Sequence, residues 1–178
     1  MSRIPLADPT SLTGERKAQY DRFPSNLTRA LLLLDDQLAG QLPHTANALR
    51  TSHLDPAWRE GVILRVAALQ HSEYEQFQHR GQARQHGWTA AQIEAIGHRK
   101  LDSGSLPTDF DAILRFVDEV VASPAVRNTT FDAARSVLND QDLVTVIVLV
   151  GHYMNVARIL GVLQVPLDDE PDGWTHEH

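Results

Sequence analysis

The sequence predicts an all-α single domain, and three observations carry that prediction. Capping residues stand repeatedly just before segments whose apolar residues recur at three-to-four spacing. The longest apolar stretch, near the C-terminus, keeps its pattern well beyond the length of one strand. No internal repeat or domain linker interrupts the chain, and its 178 residues, 42% of them hydrophobic, suit one domain that buries roughly 70% of its unfolded surface.

Taken in order, residues 1–24 read as an irregular N-terminal segment, 25–168 as the helical domain and 169–178 as an acidic tail. Ser25 or Asn26 caps a helix through Leu38 that ends near Gly40, and a short helix follows from Leu42 to Thr51 with Pro43 in its first turn. Asp55-Pro56 opens a helix to about Gln70, because an N-cap carboxylate accepts from a free backbone N–H and proline suits the first helical position. Val62, Ile63, Val66 and Leu69 give that helix its buried stripe.

Ser72-Glu-Tyr-Glu75 has the capping-box pattern and starts a helix to His86, where Gly87 takes the left-handed stop. Thr89-Ala-Ala-Gln92 repeats the signature for the next helix. Residues 101–106 read as a loop, Thr108 caps a helix through Val121 that Pro124 terminates, and Thr130 caps another through Leu138. The run LVTVIVLV, residues 143–150, would also suit a buried strand, but Asn139-Asp140 offers an N-cap and the apolar pattern continues through Val156, Ile159, Leu160 and Leu163. A central buried helix stopped by Pro166 follows, and beyond it the acidic remainder is either a tail or an arm laid on a neighbouring subunit through Trp174.

Composition removes whole classes of chemistry. With no cysteine, disulfides, thiolate metal sites, cysteine nucleophiles and dithiol reduction are absent together. A net charge of −7 without a Lys/Arg-dense block gives no footprint for nucleic acid. The opening MSRIPLADPT lacks a signal-type apolar core and no apolar run reaches membrane-spanning length, so the expected setting is the cytoplasm, away from membranes.

The residues suited to proton transfer cluster between positions 59 and 96. Only Gln70 and His71 separate the helix carrying Glu60 from the helix carrying His79, so the two form an antiparallel hairpin. Glu60 and His79 then lie roughly 15 and 12 Å above the turn, close to level. Ser72, Glu75 and His79 share one helix face. A relay Glu60–His79–Glu75 is the sharp reading, since an imidazole oriented by a carboxylate on one nitrogen passes a proton through the other; Tyr74 would add a hydroxyl. The plain reading makes Ser72 and Glu75 a reciprocal cap, Glu75–His79 an exposed pair and Glu60 a first-turn carboxylate. His152, midway along the long apolar helix, is either a satisfied buried histidine or a second histidine lining the pocket. Neither HExxH nor a paired ExxH occurs, so no metal site is expected. A Ser72–His79 hydrolase fails because residues seven apart on one helix lie about 10 Å apart along its axis.

The stretch REGVILRVAALQHSEYEQFQHRGQARQHGWTAAQIEAI, from Arg59, resembles the carboxymuconolactone decarboxylase family, which includes the alkylhydroperoxidase D-like proteins. The later DLVTVIVLVGHYMNVARILGVLQVPLD is similar to the C-terminal helix of its longer members. The resemblance implies an all-helical bundle assembling as a trimer, or as a hexamer built of dimers, with sites near subunit interfaces. In the peroxidase branch a glutamate, a Cys-x-x-Cys pair and a histidine form the site; the matching positions here are Glu60, Ser72, Glu75 and His79. Both cysteines are replaced, so dithiol peroxidase activity does not carry over. The decarboxylase branch, with a glutamate four residues before the histidine, is the better likeness and works on a lactone acid without metal or organic cofactor. The expectation is a lyase or isomerase without cofactor acting on a small anionic substrate, with catalytic His79, Glu60 and Glu75 and substrate-binding Tyr74, Ser72 and His152; the alternative is an oligomeric ligand-binding protein without catalysis.

Overall fold

The computed structural model describes residues 1–98 and 104–171, and its regular structure among these is helical throughout. A 3-10 turn at Pro9–Ser11 precedes α1 (Gly14–Arg22), α2 (Asn26–Leu31), α3 (Asp36–Arg50), α4 (Pro56–Leu69), α5 (Glu73–Gln85), α6 (Ala90–Gly97), α7 (Thr108–Ala122), α8 (Asn128–Arg135) and α9 (Asp140–Leu163). Much of the expected loop at 101–106, and Trp174 with most of the tail, lie outside the described residues.

Several ends form for the reasons the sequence offers. The Asp55 carboxylate accepts from the Ala57 and Trp58 amides at the start of α4, Thr89 and Gln92 close a complete capping box on α6, and Asn139 caps α9 through Asp142. Gly87, at φ +98°, takes the left-handed conformation after α5.

The N-terminal third departs from expectation. Residues 14–22 are helical rather than irregular. The helix expected from 26 to 38 stops at Leu31, because the Asp35 side chain accepts from the Leu38 amide and starts α3 there. α3 then runs unbroken through both Gly40 and Pro43. Pro43 has no N–H for the carbonyl of Ala39 four residues back, and the Gln19 side-chain amide of α1 donates to that carbonyl at 2.9 Å instead. Thr108 and Thr130 also lie inside their helices rather than capping them: Pro107 and Arg127 take the N-cap positions, and the Thr130 hydroxyl donates to Glu119.

α4 occupies the centre, where the sequence places residues 143–163. Every residue from Arg59 to Ala67 is buried, and α4 packs against α5, α6, α7 and α9. The main core joins Val62, Ile63 and Val66 of α4 to Phe110, Ile113 and Val117 of α7 and Val146, Leu149 and Val150 of α9. Gly61 lets the Phe110 ring press directly on the α4 backbone; a Cβ there would stand 2.3 Å from Phe110 Cζ. Arg65, fully buried, donates to both Asp118 oxygens at 2.6 and 2.7 Å and to the Ile96 carbonyl, which satisfies its fork of donors.

α9 is long and apolar enough, by length and composition, to cross a membrane, contrary to the reading that no apolar run reaches that length; His152 and Asn155 interrupt the run without ending the pattern. Its inner face packs on α4 and α7, while Val144, Ile147, Val148 and Val162 are exposed. A second, smaller core gathers Leu27 and Leu31 of α2, Tyr74 of α5 and Val156, Leu160 and Val165 from α9 and the segment after it. The candidate site lies against this second core.

Candidate functional site

The α4–α5 hairpin turns within two residues. Gln70 caps α4, His71 takes a left-handed φ of +55°, and the Ser72 amide returns to the Ala67 carbonyl at 2.8 Å. The Ser72 hydroxyl caps α5 by accepting from the Glu75 amide at 3.4 Å. The tight turn sets the helices antiparallel, which brings Glu60 and His79 level.

His79 Nδ1 lies 2.8 Å from Glu60 Oε2. The other oxygen, Oε1, accepts from Arg59 Nε at 3.1 Å, and Arg59 Nη1 donates to the Arg50 carbonyl at 2.9 Å, so one arginine ties the carboxylate to the end of α3. Burial works against the Glu60 charge, but His79 and then Arg59 outweigh it and hold the carboxyl below its ordinary range. An ionised Glu60 can only accept, which assigns the proton to Nδ1 and leaves Nε2 for a reacting group. Glu60 is 2% exposed and His79 14%, so the pair sits behind the surface with its imidazole forward.

His79 forms part of the wall of a partly open cavity of about 50 Å³. Phe23, Leu27, Leu31, Leu42, Pro43 and Val156 make it apolar; Arg50, Tyr74, Glu75, Gln78, His152 and Tyr153 supply its polar groups. Tyr153 stands edge-on to both His79 and His152, with ring centroids 5.2 and 5.1 Å apart. Burial, and then the nearby carboxylates of Glu60 and Glu75, push its phenol well above the ordinary range. Burial first, and His79 second, push His152 down to about 4, so it is neutral at neutral pH.

Glu75 is the exceptional group. It is 2% exposed, and neither carboxyl oxygen has a hydrogen-bond partner. Burial pushes its pKa up to about 8, opposed only by Ser72. The box at the start of α5 is therefore half made: Ser72 caps, but the Glu75 side chain turns inward. The relay expected through His79 joins Glu60 alone, and Ser72, engaged as the cap, is not among the cavity residues.

Tyr74 faces the cavity, but its hydroxyl donates to Asp168 and accepts from the Leu27 amide at 3.3 Å. The same carboxylate accepts from Gln78 Nε2 at 2.7 Å and from the Asn26 amide at 2.7 Å. Asp168 thus clamps the segment after α9 across α2 and α5. Burial, with Asp168 adding to it, raises the Tyr74 phenol well above its ordinary range. His152 does line the cavity, and so does Tyr153, its polar neighbour on the apolar helix, whereas Arg50 enters it without any signal in local spacing. Among the described residues, no three His, Asp or Glu side chains converge in a way that could hold a metal ion.

The helical order and packing recur in solved structures. An alkylhydroperoxidase AhpD core, an uncharacterized peroxidase-related protein from Ralstonia eutropha JMP134, superposes with a TM-score of 0.81 at 18% identity, over 94% of this chain and 93% of that one. An uncharacterized peroxidase-related protein from Silicibacter sp. TM1040 gives 0.77 at 16% identity, over 94% and 91%. A protein of unknown function from Agrobacterium tumefaciens gives 0.68 at 18% identity, over 74% and 90%. No curated protein matches the chain. These likenesses define the class: an all-α protein of the alkylhydroperoxidase D-like fold. Residues 37–107, the segment that holds Glu60, Ser72, Glu75 and His79, match the Carboxymuconolactone decarboxylase family model, and the chain has no cysteine.

Proposed function

We propose that this protein is a lyase or isomerase of the carboxymuconolactone decarboxylase type, working without cofactor on a small carboxylated lactone or related acid. One observation carries the reading: His79 is held by an ionised Glu60 at 2.8 Å and presented to a mostly apolar cavity. Decarboxylation breaks the bond between carbon and carboxylate, releases carbon dioxide and leaves the electron pair on a carbon conjugated with a carbonyl. A protonated His79 then delivers its proton to that carbon, and Glu60 stabilises the imidazolium before transfer. The same residues support an isomerase, with His79 first removing and then returning a proton.

This cavity has room for roughly four water-sized groups. A lactone acid overfills it, so the substrate would also occupy the adjoining surface cleft of about 340 Å³, which shares Phe23 and Pro43 as its wall. We further assign a homo-oligomer, a trimer or a hexamer built of dimers, a reading supported by the exposed Val144, Ile147, Val148 and Val162 of α9.

Incubation of the purified protein with carboxymuconolactone, followed by carbon dioxide release, tests the function. Turnover in the wild type that falls by about 10²–10⁴ in His79→Ala is the expected outcome. Turnover unchanged by that substitution rejects the assignment of His79, and no turnover at all rejects this substrate.

A further inference from the structure

Glu75 presents a buried carboxyl to the cavity with both oxygens unpartnered, while the helix cap that spacing assigns to it is left half made. A group desolvated in this way, with only the neighbouring Ser72 to offset its burial, is completed by something that enters the cavity. The same cavity is lined by Arg50, the last residue of α3, which is exposed and fixed in the backbone by the bond from Arg59 Nη1 to its carbonyl.

We propose that Glu75 and Arg50 form an oxyanion subsite. Glu75 donates the O–H of its neutral acid from the floor, Arg50 supplies positive charge from the mouth, and the ligand is an oxyanion carried on carbon, a carboxylate or an enolate. This deepens the proton-transfer reading and rests on it for the enolate: the oxygen that gains charge as carbon dioxide departs would accept from Glu75 while His79 protonates carbon. A neutral carboxylic acid suits the task because it stabilises a developing negative oxygen without opposing it by charge.

The charged and titratable groups around Glu75 agree with a neutral floor. Arg50 lines the same cavity from α3. The charge of Glu60 on α4 is taken up by Arg59 and His79. On α9 stand His152, uncharged at neutral pH, and the Tyr153 phenol, whose ionisation Glu75 opposes. Tyr74, its neighbour on α5, spends its hydroxyl on Asp168. The part of α2 that reaches the cavity, Leu27, Thr28 and Leu31, brings no charge.

Carbon-13 acetate, small enough for the 50 Å³ void, is the probe. Binding followed by NMR should hold steady from pH 6.5 to about 8 in the wild type and then weaken about tenfold per pH unit as Glu75 loses its proton. Glu75→Gln, which keeps a donor but cannot ionise, should bind within about threefold of wild type at pH 6.5 and stay level to pH 9. Arg50→Gln should bind about tenfold more weakly throughout. No saturable acetate binding in the wild type, loss of binding in Glu75→Gln at pH 6.5, or an equally steep decline in that variant each overturns the proposal. If Glu75→Gln does not fold, the carbon-13 titration of the Glu75 carboxyl in the wild type decides: acetate must raise its midpoint, and a midpoint unmoved or lowered overturns the subsite. Acetate binding is read without turnover. Absent decarboxylation with intact binding rejects only the reaction, whereas absent binding with intact decarboxylation rejects only the subsite.

Discussion

Glu75→Gln should change the pH dependence of stability even without a ligand. In the folded protein burial lifts the Glu75 carboxyl from 4.5 to about 8. Between those values the folded chain holds a proton that the unfolded chain has released, so the contribution of this group to stability is complete below about 4.5 and is lost as the pH rises through about 8. At about 1.4 kcal/mol per pH unit, the difference of 3.5 amounts to a ceiling of about 5 kcal/mol above pH 8 and about 3.5 kcal/mol by pH 7. Local relaxation and water entry return part of that penalty. An amide of the same shape removes the proton linkage and leaves the packing in place. Urea unfolding followed by tryptophan fluorescence, repeated between pH 5 and 9, should show the two proteins nearly equal at pH 5 and the variant ahead by about 2–5 kcal/mol at pH 9. Parallel stability curves across that range would refute the account of Glu75 as a desolvated, neutral acid.

Gly61→Ala should destabilise by about 2 kcal/mol, because the new Cβ would meet the fully buried Phe110 ring at 2.3 Å and overpacking of about 1–3 kcal/mol or more exceeds the roughly 1 kcal/mol gained by replacing a mid-helix glycine. Recovery of the urea midpoint in a Gly61→Ala/Phe110→Leu double variant identifies the clash, and a single variant as stable as wild type contradicts it. Arg65→Met should cost about 3–5 kcal/mol by stranding the Asp118 carboxylate and the Ile96 carbonyl; calorimetry showing an unchanged melting temperature would exclude that reading.

The meeting of Glu60 and His79 was legible because a two-residue turn and the helical rise fix heights on paired helices without knowledge of anything else. Glu75 was half legible. Spacing puts it at the third position of the helix, but whether such a side chain folds back to the cap or turns inward depends on how tightly neighbouring helices exclude water. The unbroken course of α3 is not legible, because Gly40 and Pro43 look like breaks and the Gln19 side chain that satisfies the Ala39 carbonyl lies 20 residues earlier in the chain; Arg50 falls within the expected helix, but nothing in local spacing sets that helix against α5. α1, with the sequence GERKAQYDR, has no apolar stripe to announce it. The central place went to α4 rather than α9 because a periodic pattern records the apolar share of a helix, not how many neighbours surround it; even Arg59, Glu60 and Arg65 are buried there.

Asp168 joins groups far apart in sequence: 94 residues separate it from Tyr74 and 142 from Asn26. The hairpin that pairs Glu60 with His79 spans only 19 residues and is a local event, whereas the contacts that roof the cavity require distant stretches to meet. During folding, the reactive pair can therefore exist before the chamber that gives it selectivity, and enclosure, rather than the assembly of the proton-transfer groups, is the step that depends on the whole chain.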